Sequence, residues 1–148
     1  MYSVLIRPYS VKDSADIIKI DMESFESRNP SYDLYIYLAY GSEIFVADLG
    51  NFVVGYIVLQ HKEEESKILS LAVRKEFRRR GIGSMLLEKA IESSKEKGKK
   101  RLLLEVRISN IPAQKLYKKY GFKTINVLPN YYADGEDAYL MCLDLNQL

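Results

Sequence analysis

Apolar residues along the chain follow two different periods, and the alternation between the two periods predicts a mixed α/β sheet. Residues 44–49 and 52–59 are short β-rich runs joined by Gly50 and Asn51, which together are a hairpin signal. In residues 82–97 the apolar positions recur at helical spacing, so that one face is apolar. The whole pattern predicts about seven strands and about four helices.

A strand, a helix and a second strand follow one another in the central part of the chain. Residues 67–73 are an apolar run, residues 82–97 are the amphipathic helix, and residues 101–106 are another apolar run. The leucines at 102–104 are continuous rather than alternating, so we expect a strand that is covered on both faces, as in a parallel pair. This is a βαβ unit, for which a right-handed crossover is expected.

Two shorter helices and one turn are indicated by their end signals. Ser31 is expected to cap a short second helix, and Asn110 a later helix with Pro112 in its first turn. The charged residues 61–65 predict a turn, in which His61 is expected to be solvated.

The composition limits the class of protein. The chain has 148 residues and a formal net charge of +2, which is typical of one globular domain and not of a dedicated nucleic-acid binder. No stretch is long enough to span a membrane, and the first residues do not form a signal peptide. Cys142 is the single cysteine and is expected in the core, and His61 is the single histidine, so we expect neither a disulfide nor a metal site. We therefore predict one cytoplasmic domain over residues 1–148, with no nucleic-acid or membrane partner.

A basic, glycine-containing segment lies between the predicted central strand and helix. The N–H groups in the first turn of a helix have no intrahelical partner, and the helix dipole adds partial positive charge at that end. Glycines let phosphate oxygens come close to the backbone. The segment therefore predicts a site for a ligand that carries a diphosphate. Its residues are Arg78, Arg79, Arg80, Gly81, Ile82, Gly83 and Ser84.

Glu105 follows the three leucines at the end of a predicted buried strand. A carboxylate in that position is costly to ionise unless it is paired or hydrated, so Glu105 is a candidate proton acceptor near neutral pH. The alternative is a structural ion pair with Arg107 or Arg78 at the end of the sheet. The residue types alone leave both interpretations open.

Tyr117 and three tyrosines in predicted loops are further candidates. Tyr117 fits an ordinary core aromatic, but a phenol can also protonate a departing thiolate, because their free pKa values differ by about 1.5 units, roughly 2 kcal/mol. Tyr32, Tyr131 and Tyr132 either line a binding groove or fold back as lids on the sheet edge.

Three blocks occur in one order over residues 65–145. They are Arg-Arg-Arg-Gly-Ile-Gly at 78–83, the segment 104–122 from Leu-Glu-Val-Arg to Tyr-Gly-Phe, and the segment 131–141 that begins Tyr-Tyr-Ala-Asp-Gly-Glu-Asp-Ala. The first resembles the pyrophosphate loop of the GCN5-related N-acetyltransferase (GNAT) superfamily. The second resembles a block of the RimI-like protein N-terminal acetyltransferases, and the third a segment shared by RimI and the catalytic subunit of NatA.

The resemblance implies a GNAT fold with acetyl-CoA as donor and no metal. That fold has about seven mostly antiparallel strands, with a central splayed parallel pair, and about four helices. By resemblance, three backbone positions on the splayed strand would hold the pantetheine arm, and N–H groups of the basic segment would hold the pyrophosphate. The residues that would bind acetyl-CoA are Leu71, Ala72, Val73, Arg78, Arg79, Arg80, Gly81, Ile82, Gly83, Ser84, Asn110 and Tyr117.

The resemblance also implies a mechanism and an acceptor. Glu105 would be the general base, acting through water, and Tyr117 the general acid for the CoA thiolate. Tyr32, Tyr131 and Tyr132 would flank the N-terminus of a protein or peptide, with ribosomal and nascent chains among the targets. The enzyme would be a monomer or a homodimer that transfers the acetyl group directly.

The acceptor is the least determined part of this prediction. With reference pKa values of about 7.8 and 10.4, roughly one α-amine in seven is neutral at pH 7, against about one lysine in 2,500, so an α-amine asks less of a base. Lysine acetylation, acetylation of a small-molecule amine such as a polyamine or an antibiotic, and an acetyl-CoA-binding module without activity stay open as alternatives. Some NatA-type subunits carry a glutamate after a proline between the first two helices; Asn29-Pro30-Ser31 has none, which leaves the preferred N-terminal residues open.

Overall fold

The computed structural model of the protein describes residues 3–25 and 29–147. Within these residues the chain forms seven strands and four α-helices, as predicted. The strands are β1 (Leu5–Pro8), β2 (Glu43–Asp48), β3 (Val53–Lys62), β4 (Glu65–Val73), β5 (Arg101–Arg107), β6 (Lys123–Leu128) and β7 (Ala138–Asp144). The α-helices are α1 (Ser14–Ser24), α2 (Pro30–Ala39), α3 (Ile82–Glu96) and α4 (Ile111–Lys119).

The strands form one mixed sheet in the order β1-β2-β3-β4-β5-β7-β6. It is mostly antiparallel, and β4 and β5 are the parallel pair that the central strand–helix–strand pattern predicted. The residues group into two compact units. The N-terminal unit is Met1–Gln60 with Leu69–Glu92, and the C-terminal unit is His61–Ile68 with Ser93–Leu148. Among the described residues, no helix is both long and apolar enough to cross a membrane.

The N-terminal unit is built around the hairpin of β2 and β3. Gly50 and Asn51 both have positive φ angles, of 85° and 66°, as a tight hairpin turn requires, and the N–H of Leu49 donates to the carbonyl of Phe52 at 2.9 Å. The predicted hairpin is therefore confirmed. Apolar side chains of α1 and α2 pack with this hairpin in the core of the unit. This core includes Ile17 and Ile20 of α1, Leu34 of α2, Val46 of β2, and Tyr56 and Val58 of β3.

An ion-pair cluster joins β1, β2 and the start of α1. Arg7 contacts Asp48 through Nε at 2.9 Å and Asp13 through Nη2 at 2.8 Å. Asp13 is 2% exposed, and its second oxygen accepts the N–H of Ser10 at 2.8 Å. The Arg7 guanidinium lowers the pKa of Asp13 and of Asp48 below their ordinary values.

The second helix begins differently from the prediction. Its cap is Asn29 rather than Ser31, because the side chain of Asn29 accepts the N–H of Tyr32 at 3.1 Å and Pro30 occupies the first helical position. Tyr32 consequently lies in the first turn of α2 and not in a loop.

In the C-terminal unit, β5 has a parallel neighbour on one edge and an antiparallel neighbour on the other. The paired register with β4 runs from Glu65↔Arg101 to Ile68↔Leu104, whereas β7 pairs along the whole of β5. The side chains of β5 alternate between buried and half-buried, and Leu103 is on the half-buried face. The expectation that this strand is covered on both faces was wrong, because only one face of the strand carries buried side chains.

The turn between β3 and β4 is shorter than predicted. Both strands continue through the charged segment, so that Glu63, with a φ angle of 44°, and Glu64 alone connect them. His61 therefore lies in β3, with its Nδ1 atom 2.6 Å from the hydroxyl of Ser66, and is not a solvated turn residue.

Candidate active site

The segment that the sequence predicts as a diphosphate site lies at the start of α3. Arg79 and Gly81 have left-handed backbone, with φ angles of 63° and 81°, and the helix begins at Ile82 as predicted. The first i→i−4 bond of the helix joins the N–H of Met85 to the carbonyl of Gly81 at 3.0 Å. The N–H groups of residues 82–84 are consequently first-turn donors without a helical acceptor, which is the chemistry that an anion needs.

Two of the three arginine side chains brace this segment. Arg78 donates through Nε to the carbonyl of Val73 at 2.9 Å, and through Nη2 to the hydroxyl of Ser24 at 3.1 Å. The guanidinium carbon of Arg80 lies 5.3 Å from the ring centroid of Phe77. These contacts give both side chains a structural role in shaping the loop, which leaves the backbone N–H groups as the better candidates for holding an anion.

The end of β4 packs closely against its neighbours because β3 carries a glycine. A Cβ atom at Gly55 would lie 3.0 Å from the carbonyl oxygen of Ala72 and 3.2 Å from Cδ1 of Leu86 on α3. Ala72 is buried, whereas Leu71 and Val73 are half-buried. Gly55 therefore supports the position of the predicted pantetheine-binding strand. An isolated glycine within an apolar β-run was the available sequence signal for it.

Glu105 lies on the half-buried face of β5, and both of its carboxylate oxygens have a partner. Oε2 is 2.6 Å from the Nζ atom of Lys67 on β4, and Oε1 accepts the hydroxyl of Tyr131 at 2.7 Å. The side chain of Glu105 is 13% exposed, and that of Lys67 is 35% exposed. Glu105 is thus a mostly buried carboxylate on the half-buried face of β5, and it contacts a cation and a phenol.

Neither Arg107 nor Arg78, the two ionic partners that the sequence suggested for Glu105, contacts it in the structure. Arg107 instead directs Nη1 to Asp134 at 2.9 Å and to Glu136 at 2.8 Å, while Arg78 contacts Val73 and Ser24 as described above. The physical reason is the register of the parallel strands, which brings Lys67 to the same face as Glu105.

The loop after β6 is anchored to the end of β5 by its acidic residues. Glu136 accepts the N–H of Ser109 at 2.9 Å in addition to its ion pair with Arg107, and its carbonyl accepts the N–H of Tyr132 at 3.1 Å. The guanidinium carbon of Arg107 lies 4.0 Å from the ring centroid of Tyr132. The acidic part of the third sequence block therefore has a structural function, which is to position the two tyrosines that precede it.

Tyr131 and Tyr132 are brought together next to Glu105. Their rings contact edge to face with centroids 5.1 Å apart. Burial, together with the hydrogen bond to Glu105 and the charge of that carboxylate, raises the pKa of Tyr131 to about 12, although 47% of the residue is exposed. The hydroxyl of Tyr131 thus reaches back to the carboxylate of Glu105, while nearly half of the residue stays exposed.

Tyr117 is buried on α4, where its ring packs against Phe122 with centroids 5.8 Å apart. Burial, with a smaller contribution from the charge of Tyr132, raises the pKa of Tyr117 to about 12. Proton transfer to a thiolate of reference pKa about 8.5 then costs about 5 kcal/mol, more than the roughly 2 kcal/mol expected for a free phenol. The hydroxyl of Tyr117 consequently stays protonated at any physiological pH and is available as a donor.

The remaining predicted residues have local roles in the structure. Asn110 caps α4 as predicted, with its side-chain oxygen accepting the N–H of Ala113 at 3.2 Å. Tyr32 is 57% exposed, and its ring centroid lies 6.4 Å from that of Tyr35. Cys142 is half-buried opposite Leu103, so the expectation of a core cysteine was wrong, and burial raises the pKa of its thiol.

Residues 14–122 match the model of the acetyltransferase (GNAT) family. The chain belongs to this family. The resemblance that the three sequence blocks indicated is therefore confirmed, and so are the predicted fold class and the assignment to the acetyltransferases.

Relatives within the GNAT family are similar to this chain over nearly its whole length. The N-alpha-acetyltransferase of Sulfurisphaera tokodaii is 40% identical, over 95% of this chain and 92% of that protein. The crystal structure of Ard1 from Thermoplasma volcanium is 34% identical, with a TM-score of 0.89, and the match covers 95% of this chain and 97% of that one. The ribosomal-protein-S18-alanine N-acetyltransferase of Escherichia coli is 26% identical, with a TM-score of 0.88 over 97% of this chain and 94% of that one.

Proposed function

We propose that this protein transfers the acetyl group of acetyl-CoA to the free α-amino group of protein N-termini. The observation that carries the proposal is the 40% identity to an N-alpha-acetyltransferase across 95% of this chain. The similarity to the structure of an S18-alanine N-acetyltransferase supports the same acceptor class and makes ribosomal and nascent proteins reasonable targets. We also propose that residues 1–148 act as one acetyltransferase domain in the cytoplasm.

The first turn of α3 and the left-handed residues before it fit the pyrophosphate of acetyl-CoA. In our proposal, the backbone N–H groups from Arg79 to Ser84 bind the pyrophosphate, and the backbone of Leu71, Ala72 and Val73 binds the pantetheine arm. Asn110 contacts the donor near its reacting end while it caps α4. Acetyl-CoA supplies an activated thioester, and the chain supplies the groups that move protons.

Glu105 is proposed to act as the general base through a water molecule. The α-amine nitrogen forms a bond to the thioester carbonyl carbon, the carbon–sulfur bond breaks, and Glu105 takes up the proton that the amine loses. Each carboxylate oxygen has two lone pairs. The oxygens that contact Lys67 and Tyr131 can therefore each accept a further hydrogen bond from a water molecule.

Tyr117 is proposed to donate the proton that converts the departing thiolate into CoA thiol, and to regain a proton from solvent. A buried environment raises the pKa of a thiol as well as that of a phenol. The pKa difference between Tyr117 and a buried CoA thiol is therefore smaller than the difference from a free thiol, and the proton transfer costs less. Tyr32, Tyr131 and Tyr132 are proposed to contact the peptide N-terminus.

A peptide library varied at its first two positions, with acetyl-CoA as donor, tests the function. Mass spectrometry should place one acetyl group on the α-amine, and peptides with a blocked N-terminus and an internal lysine should not be modified. Acetylation on lysine only, on small amines only, or binding of acetyl-CoA without transfer would each contradict the proposal. The E105Q variant should lose most of the activity, whereas E65Q, which removes a carboxylate from β4 that pairs with Arg101, should retain it.

A further inference from the structure

Lys67 is a residue that none of the three sequence blocks includes, and its side chain nonetheless contacts Glu105 directly. Its Nζ atom lies 2.6 Å from Oε2 of Glu105, while the hydroxyl of Tyr131 occupies Oε1 at 2.7 Å. Each oxygen of the carboxylate therefore has its own partner, a cation on the neighbouring strand and a phenol from a loop. Two such contacts fix the orientation of the carboxylate, and the cation also compensates its charge.

The parallel register explains why Lys67 reaches Glu105. Lys67 pairs with Leu103, and side chains two positions apart on a strand share a face, so Lys67 is on the face of Leu103 and Glu105. The paired register ends at Ile68↔Leu104, one residue after Lys67. Lys67 is thus the last residue of β4 within the paired register whose side chain lies on the same face as Glu105.

Within the described part of the chain, the other groups that face Glu105 do not supply a second positive charge. Tyr131 and Tyr132 approach from the loop after β6, and burial, with a smaller contribution from the charge of Glu105, raises the pKa of both. Leu140 lies opposite on β7 and is apolar. Arg107, two residues along β5, directs its charge to Asp134 and Glu136. Lys67 is therefore the cation that compensates this partly buried carboxylate.

We propose that Lys67 is a positioning residue for the general base, which compensates the charge of the Glu105 carboxylate and fixes its orientation. This inference rests on the proposed function, in which Glu105 is the base. A mostly buried carboxylate needs a partner to stay charged. An ammonium is a point charge that binds one oxygen without the planar fork of a guanidinium, so it leaves lone pairs of Glu105 free for the water that carries the proton.

The K67Q variant tests this role by removing the charge. We expect kcat to fall about tenfold, less than the roughly 100-fold loss of a general base, and the acid limb of kcat/KM to move up by about one pH unit. K67R should restore the position of the acid limb. An acid limb that stays in place in K67Q would overturn the inference.

R101Q is the matched control, because Arg101 forms an ion pair with Glu65 at 3.0 Å between the same two strands. Its side chain is exposed to a similar degree as that of Lys67, 42% against 35%. R101Q should leave kcat and the pH profile unchanged. If R101Q and K67Q have the same effect, Lys67 contributes only to the pairing of the strands, and the positioning role is wrong.

A second measurement does not depend on turnover. Carbon-detected NMR of the Glu105 carboxyl carbon, assigned by its loss in E105Q, should show a titration midpoint that is higher in K67Q than in the wild type and in R101Q. An unchanged midpoint would overturn the inference. A raised midpoint in a protein that acetylates no peptide would support the interaction of Lys67 with Glu105 and refute the proposed function. Failure of the inference and failure of the proposed function are therefore distinguishable.

Discussion

Arg107 and Tyr132 form a stacked pair, with the guanidinium carbon 4.0 Å from the ring centroid. The same guanidinium binds Asp134 and Glu136, so one side chain at the end of β5 both carries the aromatic ring and anchors the loop that follows it. The position of Tyr131 and Tyr132 thus depends on an arginine that has no described bond to Glu105.

Removal of this anchor should affect the peptide more than the donor. In R107Q the loop loses two ion pairs and the stacking of Tyr132, so KM for a peptide should rise several-fold while the affinity for acetyl-CoA is little changed. Steady-state kinetics and calorimetry measure the two quantities. Amide hydrogen exchange at Ser109, whose N–H donates to Glu136 at 2.9 Å, should become faster. R101Q provides the comparison, and equal effects of both variants on peptide KM would refute the role of the anchor.

The hydroxyl of Tyr117 can be tested without a large change in packing. We expect Y117F to lower kcat by about 100-fold, at the low end for the loss of a general acid, and to leave acetyl-CoA binding and thermal stability nearly intact. Because the pKa of Tyr117 is raised to about 12, the wild-type kcat should show no basic limb from this residue below about pH 11. Unchanged turnover in Y117F would remove Tyr117 from the mechanism.

Gly81 and Gly98 form a natural pair for separating backbone strain from ligand binding. Both have positive φ angles, of 81° and 71°, and a Cβ at either would meet nothing within 4 Å. G81A and G98A should therefore each lower the free energy of unfolding by about 1 kcal/mol. Only G81A should also weaken acetyl-CoA binding, by about tenfold or roughly 1.4 kcal/mol, since Gly81 precedes the first turn of α3. Equal affinities in the two variants would contradict the proposal that residues 79–84 bind acetyl-CoA.

The ion pairs of Arg7 predict how stability depends on pH. The pKa of Asp13 is lower in the folded protein than in the unfolded chain, so its contribution is present above the unfolded pKa of about 3.9 and is lost as pH falls through the folded pKa. D13N should lower the free energy of unfolding at pH 7 by about 2 kcal/mol and should flatten its dependence on pH below about 4. Urea unfolding at pH 7 and pH 3 measures both effects. A D13N variant with the same acid sensitivity as the wild type would refute this account.

Local signals in the sequence predicted the elements that depend on a few neighbouring residues. The turn at Gly50 and Asn51, the start of α3 at Ile82 and the cap at Asn110 were all located correctly, because each depends on φ angles or hydrogen bonds within four residues along the chain. Ser31 was wrong as a cap for the same kind of reason. Asn29 and Ser31 both offer a side-chain acceptor, and Pro30 places the helix start after the asparagine.

Local sequence signals could not predict which groups contact the candidate catalytic residues. Arg107 and Arg78 were plausible partners for Glu105 by their charge, but the register of β4 against β5 brought Lys67 there instead. Cys142 and Leu103 both have apolar side chains, yet they lie on the half-buried face of the sheet. Burial of a strand residue depends on which face other elements cover, and that information is distributed over the whole chain.

The sequence by itself determined the family, the seven-strand mixed sheet and the start of α3 at Ile82, since glycines, caps and apolar periods act over short distances. The tertiary structure decided what Glu105 contacts, how Tyr131 is held and how far burial raises the pKa of Tyr117. Those properties arise from pairs of groups that are distant along the chain and meet only when strand register and loop anchoring are complete. The sequence therefore identifies the candidate residues, whereas their ion pairs, hydrogen bonds and pKa shifts are set only in the folded protein.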